Sequence, residues 1–180
     1  MPIRGELSLA ALINLLENEA AVMSPAKMHD TLARLAVCSD DIGDHKRFSE
    51  QRYARNLVYK STQFEIMVMC WNSGQRSSIH DHAGSLGGLK ILSGLLTESL
   101  FAKAPNGMIK SSTSIDYEAG SIRVEETSLI HQISNLQTND GQAISLHIYV
   151  PPLVRMKVYS LEDASVRNIL PEYFSFGSGI

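Results

Sequence analysis

The amino-acid sequence predicts a mainly β chain, an antiparallel sandwich or barrel, preceded by a helical segment. From Tyr53 onward, short runs rich in β-branched and aromatic residues alternate with Gly, Asn, Asp or Pro turns, as in many all-β domains. Before residue 51, apolar residues instead recur at helical spacing. We therefore expect one domain over residues 1–180, in which a helical leader at 1–50 packs on a β-barrel at 51–180.

The leader is expected to contain two helices followed by a polar loop or short turn at residues 40–50. The first helix would span residues 7–22, and the second would begin at Ser24-Pro25, a capping serine followed by proline at the first helical position. The predicted apolar faces are Leu9, Leu12, Ile13, Leu16 and Ala20 in the first helix, and Met28, Leu32, Leu35 and Ala36 in the second.

The body is expected to be built from short strands joined by tight turns. The turn signals are Ser93-Gly94, Asn106-Gly107 and Asp140-Gly141. The predicted strands, as sequence, are YARNLVYK, FEIMVMCW, GGLKILSG, LTESLFAK, MIKSSTSID, SIRVEE, HQISNLQ, AISLHIYV and MKVYSL.

Composition excludes several classes of protein. A hydrophobic content of 44%, 19% charged residues and a formal net charge of -3 are ordinary for a globular protein, and with no Lys/Arg run they argue against a nucleic-acid surface. Cys38 and Cys70 lie in unrelated surroundings, so no disulfide framework is expected. Polar residues interrupt the apolar N-terminal stretch, which therefore predicts neither a signal peptide nor a membrane span. We expect a cytoplasmic protein of undetermined oligomeric state.

His80 and His82 are separated by one residue. If this segment is extended, both imidazoles lie on one face and Asp81 lies on the other, which would supply half of a metal site. His131 and His147 fall in predicted strands, where a single histidine taken alone is better explained as a hydrogen-bonded core or rim residue. The doublet favours the metal site because strand spacing orients both rings together.

The surrounding glycines resemble the two motifs of the cupin superfamily. Gly74, five residues, His80-Asp81-His82 and then Gly94 resemble the first motif. Gly120, ten residues, His131, three residues and Asn135 resemble the second. This resemblance implies a jelly-roll barrel in which His80, His82 and His131 meet at one metal ion.

Gly87 departs from the cupin pattern, since many cupins have a glutamate ligand there. We therefore expect three neutral imidazoles, no carboxylate and three open positions on the metal. Imidazoles alone suit Fe, Zn, Cu or Ni, and do not choose among them. A site short of anions would suit an anionic ligand such as a thiolate.

Five stretches together resemble cysteine dioxygenase, over roughly Arg52 to Pro152: RYARNLVYK, CWNSGQRSSIHDH, LKILSGLLTESLF, HQISN and SLHIYVPP. The resemblance implies one mononuclear Fe(II) ion held by His80, His82 and His131. It also implies that the substrates are O2 and a small thiol, bound through its thiolate and amine and oxidised to a sulfinic acid.

The resemblance also assigns roles outside the metal ligands. Arg55 would hold the substrate carboxylate, for which a planar guanidinium is well matched, and Tyr53 would line that end of the pocket. Ser145, His147 and Tyr149 alternate along one strand face and resemble the family's catalytic relay, in which His147 orients the tyrosine hydroxyl.

Three further positions match the family in part. Val150-Pro151 corresponds to a bond that is cis in the family, and Trp71 to a position near the pocket, although a core tryptophan is an equally good account. Animal members have a cysteine where this chain has Gly87, and that cysteine crosslinks to the tyrosine matching Tyr149. We therefore expect Tyr149 without a crosslink.

Arg55 favours L-cysteine as substrate, because relatives that act on 3-mercaptopropionate have glutamine at this position. Two alternatives remain at this point: a dioxygenase for another small thiol carboxylate, and a non-catalytic cupin that binds a metal or small molecule. A different metallo-cupin enzyme, such as an isomerase, would not need the SLHIYVPP stretch.

Overall fold

The computed structural model describes residues 6–125 and 127–174. Helix α1 spans Leu9–Glu19 and helix α2 spans Pro25–Arg34, with short 3-10 turns at Ala20–Val22 and Gly43–His45. Among the described residues, no helix has the length and apolar character needed to cross a membrane.

Strands make up most of the chain after the leader. They are β1 (Ala54–Lys60), β2 (Glu65–Trp71), β3 (His80–Asp81), β4 (Leu86–Ser93), β5 (Leu95–Lys103), β6 (Ile109–Glu118), β7 (Ile122–Glu125), β8 (Ile130–Ser134), β9 (Ala143–Val150), β10 (Met156–Tyr159) and β11 (Val166–Ile169). Each of the nine predicted runs contains a strand, and Glu126, the last residue of SIRVEE, lies outside the described residues. The runs did not include β3, which is only two residues long, or β11, whose four residues are all exposed.

The strands form two antiparallel sheets that pack as a jelly-roll barrel. One sheet has the order β1-β2-β9-β4-β7 and the other β11-β10-β3-β8-β5-β6. Apolar side chains from both sheets fill the interior, among them Met67, Met69, Trp71, Leu89, Leu96, Ile133 and Met156. The predicted mainly β architecture with an N-terminal helical segment is therefore confirmed.

The helices cover the outer face of the five-stranded sheet. Leu12 and Leu16 of α1, and Met28 and Leu32 of α2, are fully buried in a core cluster that also holds alternate residues of β2 and β9. Ser24 caps α2 as predicted, because its Oγ accepts a hydrogen bond from the Lys27 amide at 3.3 Å. The prediction for Ala36 was wrong: α2 ends at Arg34, so Ala36 lies beyond the helix and is exposed.

Gly88 sets how closely α2 approaches β4. A Cβ at this position would lie 2.5 Å from Met28 Cγ and 3.0 Å from Leu32 Cδ1. We expect Gly88→Ala to lower the free energy of unfolding by about 1–3 kcal/mol through overpacking, as measured by urea denaturation. In a Met28→Ala background the same change should cost less, because the clashing side chain is gone. Equal costs in both backgrounds would rule out this contact as the cause.

Candidate metal centre

Three histidines from β3, β8 and the residue after β3 meet inside the barrel. His80 pairs with His131 across the two strands, and His82 follows two residues after His80. Each ring offers a nitrogen within 4.8 Å of the others, and His82 Nε2 lies 3.3 Å from His131 Nε2. All three side chains are buried. A buried set of convergent imidazole nitrogens suits a divalent transition metal.

The extended backbone at β3 produces this geometry. Asp81 points away from the histidines, as predicted, and its Oδ2 accepts a hydrogen bond from the Tyr159 hydroxyl at 2.7 Å. Its Oδ1 accepts from the amide of Ala83 at 2.9 Å, at a turn where Ala83 and Gly84 both have positive φ. Asp81 therefore anchors the loop on one side while His80 and His82 face the interior on the other.

Hydrogen bonds on the outer ring nitrogens orient two of the histidines. His80 Nδ1 lies 2.8 Å from the Ser78 carbonyl, and His131 Nδ1 lies 2.9 Å from Glu98 Oε1. Each of these acceptors requires an Nδ1–H donor, which leaves Nε2 with a free lone pair for a metal. Glu98 is held in turn by the Arg123 Nε–H at 3.0 Å.

The three histidine rings differ in the pKa that their surroundings give them. Burial lowers the pKa of His80 well below its usual value and that of His82 to about 4. Burial would also lower the pKa of His131, but the Glu125 and Glu98 carboxylates outweigh it and raise that pKa. His80 and His82 are thus neutral, as a metal ligand must be, whereas a metal ion would displace a proton from His131.

Glu125 brings a buried carboxylate next to the histidines, while the expected ligand set of three imidazoles stays a prediction. This buried residue of β7 places Oε2 3.3 Å from His82 Nε2 and Oε1 3.2 Å from His131 Nδ1. The prediction considered only position 87, on the strand that carries the first motif. The neighbouring strand brings in the carboxylate instead, since Glu125 is the register partner of Gly87.

Gly87 leaves the room that His82 and Glu125 occupy. A Cβ at this position would lie 2.7 Å from both Cε1 and Nδ1 of His82, and 3.0 Å from Glu125 Oε2. Gly87 also pairs with Tyr149 on its other side, so Tyr149, Gly87 and Glu125 form one inward-facing row across three strands. Glycine is therefore required here by close packing.

Gly87→Ala should weaken metal binding. The added methyl group forces the His82 ring away from its present place, and we expect the Zn²⁺ dissociation constant to rise at least about tenfold. Competition with a chromophoric chelator measures this constant. Leu86→Ala, one residue earlier and on the other strand face, is the matched control and should leave it unchanged. Equal affinities in Gly87→Ala and wild type would contradict the packing argument.

A chain of hydrogen bonds leads through the predicted relay. Trp71 Nε1–H donates to Ser145 Oγ at 3.1 Å, and Ser145 Oγ lies 2.8 Å from His147 Nε2. His147 Nδ1 lies 3.4 Å from the Tyr149 hydroxyl oxygen. Because indole only donates, Ser145 can donate to His147 Nε2, which makes Nδ1 the protonated nitrogen facing Tyr149. The Tyr149 O–H is then available as a donor.

The relay is electrically neutral and lies beside the histidines. Burial lowers the pKa of His147 to about 3 and raises the pKa of Tyr149 beyond its usual range. The Tyr149 ring stands edge-on to His82, with ring centroids 5.0 Å apart. Trp71, for which the sequence left two explanations, satisfies both: it is buried, stacks on Tyr53 at 4.2 Å and supports Ser145.

Arg55 supplies the cationic group of the same cavity. Together with Tyr53 it lines the cavity that also contains His80, His131 and Tyr149. Its guanidinium is buried and donates to Met67 Sδ at 3.5 Å, and its Nε has no hydrogen-bond partner in the described part of the chain. A buried cation with an unused donor is well suited to receive an anion.

The cavity at the histidines is small and shares two wall residues with a larger one. The inner cavity holds about 10 Å³, roughly the space for one water molecule. An outer cavity of about 470 Å³ is lined by Arg52 and Arg76. Tyr53 and Arg55 belong to the walls of both cavities. The inner cavity is therefore too small for a ligand of amino-acid size unless a wall residue moves.

Two other sequence expectations concern the surroundings of the relay. The Val150-Pro151 bond is cis, as expected. Cys70 lies in the helix-facing core and Cys38 is exposed. The register partners of Tyr149 are Gly87 and Glu65, neither of which can form a thioether, so the expectation of an uncrosslinked Tyr149 stays a prediction for peptide mapping.

Most of the chain matches the model of a known protein family. Residues 14–162 match the family model described as "Cysteine dioxygenase type I". The chain is 40% identical over 135 residues to "Cysteine dioxygenase type 1" of Bos taurus, covering 73% of this chain and 67% of that protein. The protein of the same name from Homo sapiens is 38% identical over 112 residues, which cover 60% of this chain and 56% of the human protein.

Solved structures support the fold alone. A crystal structure of a Thermus thermophilus protein aligns with a TM-score of 0.52 at 16% identity, covering 62% of this chain and 94% of that one. An uncharacterized Klebsiella pneumoniae protein described as having a double-stranded β-helix domain also gives a TM-score of 0.52, at 17% identity, with 69% and 97% covered.

Proposed function

This chain belongs to the cysteine dioxygenase type I family, and on that premise we propose that it is an iron-dependent dioxygenase that converts L-cysteine and O2 to cysteine sulfinic acid. The observation that carries the proposal is one buried cavity lined by His80, His131, Arg55 and Tyr149. Because the chain spans 56% to 67% of the length of the bovine and human relatives it matches, the activity of the whole relatives is extended to it only as this proposal.

His80, His82 and His131 are the residues that would hold the metal, one Fe(II) ion. Three imidazoles that are neutral, or that lose a proton when they bind a metal, are a donor set suited to this ion. Fe(II) would supply the redox chemistry by which O2 reacts with sulfur. The reaction balances without another reductant, since a thiol and O2 together contain all the atoms of the sulfinic acid.

Arg55 would bind the substrate carboxylate. Its guanidinium is already buried beside the histidines and its Nε donor is unused, so pairing with a carboxylate replaces a weak contact to Met67 with a charge-assisted one. Because the inner cavity holds about 10 Å³, we expect the substrate to displace Arg55 from Met67 as it enters.

Tyr149 would serve as the proton donor of the site. Trp71 donates a hydrogen bond to Ser145, Ser145 donates to His147 Nε2, and the His147 Nδ1–H faces the Tyr149 oxygen. The Tyr149 O–H is therefore free to point into the cavity. Burial keeps the hydroxyl protonated, because it raises the pKa of Tyr149. Ser145 and His147 act through Tyr149 and are positioning residues.

Two alternatives have less support. Oxidation of 3-mercaptopropionate would use the same carboxylate contact to Arg55, so the choice of thiol must be measured. A non-catalytic metal-binding cupin would require the histidines. It would not require a buried arginine whose Nε has no hydrogen-bond partner among the described residues, or a hydrogen-bonded relay from Trp71 to Tyr149. No membrane-spanning helix occurs among the described residues, and the cytoplasmic location stays a prediction.

The test is a thiol oxidation assay with the reconstituted protein. The purified chain is loaded with Fe(II) without oxygen, mixed with L-cysteine or 3-mercaptopropionate, and exposed to O2, with sulfinate measured by mass spectrometry. We expect cysteine sulfinate to form, and to form faster than the 3-mercaptopropionate product. Faster oxidation of 3-mercaptopropionate would select the first alternative, and no oxidation of any small thiol would select the second.

A further inference from the structure

We propose that Glu125 is a fourth, anionic ligand of the metal ion, reaching the site from the strand opposite Gly87. The inference rests on the proposed three-histidine centre and adds a donor that the family pattern does not place on this strand. Glu125 is a buried neighbour of the histidines that has no part in the relay or in substrate binding.

The distances are those expected between neighbouring ligands of one ion. Metal bonds of about 2.1 Å that meet at right angles put adjacent donor atoms roughly 3 Å apart. Glu125 Oε2 is 3.3 Å from His82 Nε2, and His82 Nε2 is 3.3 Å from His131 Nε2. His82 Nε2 therefore has both Glu125 Oε2 and His131 Nε2 within the ordinary spacing of neighbouring ligands.

Glu125 also has a buried carboxylate oxygen without a hydrogen-bond partner in the described part of the chain. Glu98 takes the His131 Nδ1–H at 2.9 Å and the Arg123 Nε–H at 3.0 Å. Glu125 Oε1 is buried and has no hydrogen-bond partner among the described residues. Its close contacts are with His82 Nε2, 3.3 Å from Oε2, and with His131 Nδ1, 3.2 Å from Oε1, whose hydrogen already points to Glu98. A buried carboxylate without a partner is costly, and the metal ion would be its counter-ion.

Gly87 has no side chain, and the Glu125 carboxylate lies in the space that this leaves. The two residues pair in register, so their side-chain directions share the inward face. Glu125 Oε2 lies 3.0 Å from the place of a Cβ at residue 87. The Glu125 carboxylate therefore occupies space that a side chain at residue 87 would otherwise fill.

A fourth protein donor changes how many positions remain for substrates. A six-coordinate ion held by three histidines has three open positions, whereas one also held by Glu125 has two. Glu125 would therefore compete with any substrate that binds the metal.

The experiment compares wild type, Glu125→Gln and two control variants using Zn²⁺ and Co²⁺. Chelator competition gives the Zn²⁺ dissociation constant, and visible absorption of bound Co²⁺ reports the number and type of its ligands. In Glu125→Gln we expect at least a tenfold rise in the Zn²⁺ constant and a changed Co²⁺ spectrum. Glu118→Gln, on an exposed strand position, should change neither.

Glu98→Gln is the second control. It distinguishes the loss of a metal ligand from the loss of a residue that only orients a ligand. Glu98 contacts His131 only through the outer nitrogen, so its loss should weaken Zn²⁺ binding but leave the Co²⁺ spectrum as in wild type. If Glu125→Gln does not fold, Glu125→Asp keeps the charge with a shorter reach and should still change the Co²⁺ spectrum. A wild-type Co²⁺ spectrum in the folded Glu125 variant, or no metal binding by wild type, would overturn the proposal.

These measurements do not depend on thiol oxidation. An unchanged Co²⁺ spectrum in Glu125→Gln would remove Glu125 from the ligand set and leave the dioxygenase proposal standing. Absence of sulfinate from the iron-loaded protein would remove the dioxygenase proposal and leave the Glu125 result unaffected.

Discussion

His131→Gln is expected to reduce metal affinity by more than about 100-fold, since loss of a supporting residue alone costs about 10- to 100-fold, and to abolish thiol oxidation with it. His131 lies at the centre of the cluster, with His82 Nε2 at 3.3 Å on one side and Glu98 at 2.9 Å on the other. Glutamine keeps an N–H donor for Glu98 but loses the imidazole nitrogen that faces the metal position.

Metal content after reconstitution and the Zn²⁺ dissociation constant measure this effect. His29→Gln is the matched control, because His29 is an exposed histidine of helix α2. Circular dichroism should show that both variants are folded. Wild-type metal content in folded His131→Gln would remove His131 from the ligand set and contradict the three-histidine centre.

Arg55→Gln is expected to lower kcat/KM for L-cysteine at least tenfold, or about 1.4 kcal/mol in transition-state binding. The buried guanidinium offers charge-assisted hydrogen bonds to a carboxylate, and glutamine offers only one neutral N–H group in reach. The change should appear mainly in KM if the carboxylate is held equally in the ground and transition states.

Arg52→Gln is the control for Arg55→Gln. Arg52 lines only the outer cavity and forms an exposed ion pair with Glu172 at 2.7 Å, so its loss should change kcat/KM by less than about threefold. Steady-state sulfinate formation measures both variants. An unchanged cysteine rate in Arg55→Gln would refute the assignment of Arg55 as the carboxylate-binding residue.

The sequence was sufficient for those parts of the fold and site that follow from local periodicity. Alternation along β9 separated Ser145, His147 and Tyr149 from Leu146 and Ile148, and the structure has the apolar pair in the helix-facing core. The spacing of His80 and His82 placed both rings on one face for the same reason. Motif order then identified His131 as their partner.

Glu125 and Glu98 could not be obtained in this way, because their contacts depend on which strands are neighbours. The pairing of β7 with β4 puts Glu125 opposite Gly87, and the pairing of β5 with β8 brings Glu98 to His131. A signal was present in both cases. Each glutamate stands within a predicted strand, LTESLFAK or SIRVEE, and a charged residue facing a barrel interior requires a partner.

Gly87 is explained differently by the sequence and by the structure. From the sequence it indicated a metal site without a carboxylate. In the structure it is the small residue that allows the His82 ring and the Glu125 carboxylate to lie side by side. The two explanations differ because a missing side chain on one strand can be replaced by a side chain from the next.

Oxygen-isotope labelling of the product distinguishes dioxygenation at the three-histidine centre from other routes of thiol oxidation. The Fe(II)-loaded protein is given L-cysteine under ¹⁸O2, and the sulfinate is analysed by mass spectrometry. A dioxygenase that uses this centre should place both labelled oxygen atoms on the sulfur of each product molecule, and His131→Gln should form none. Product that contains one labelled atom or none, or labelled product at the wild-type rate in His131→Gln, would contradict the account.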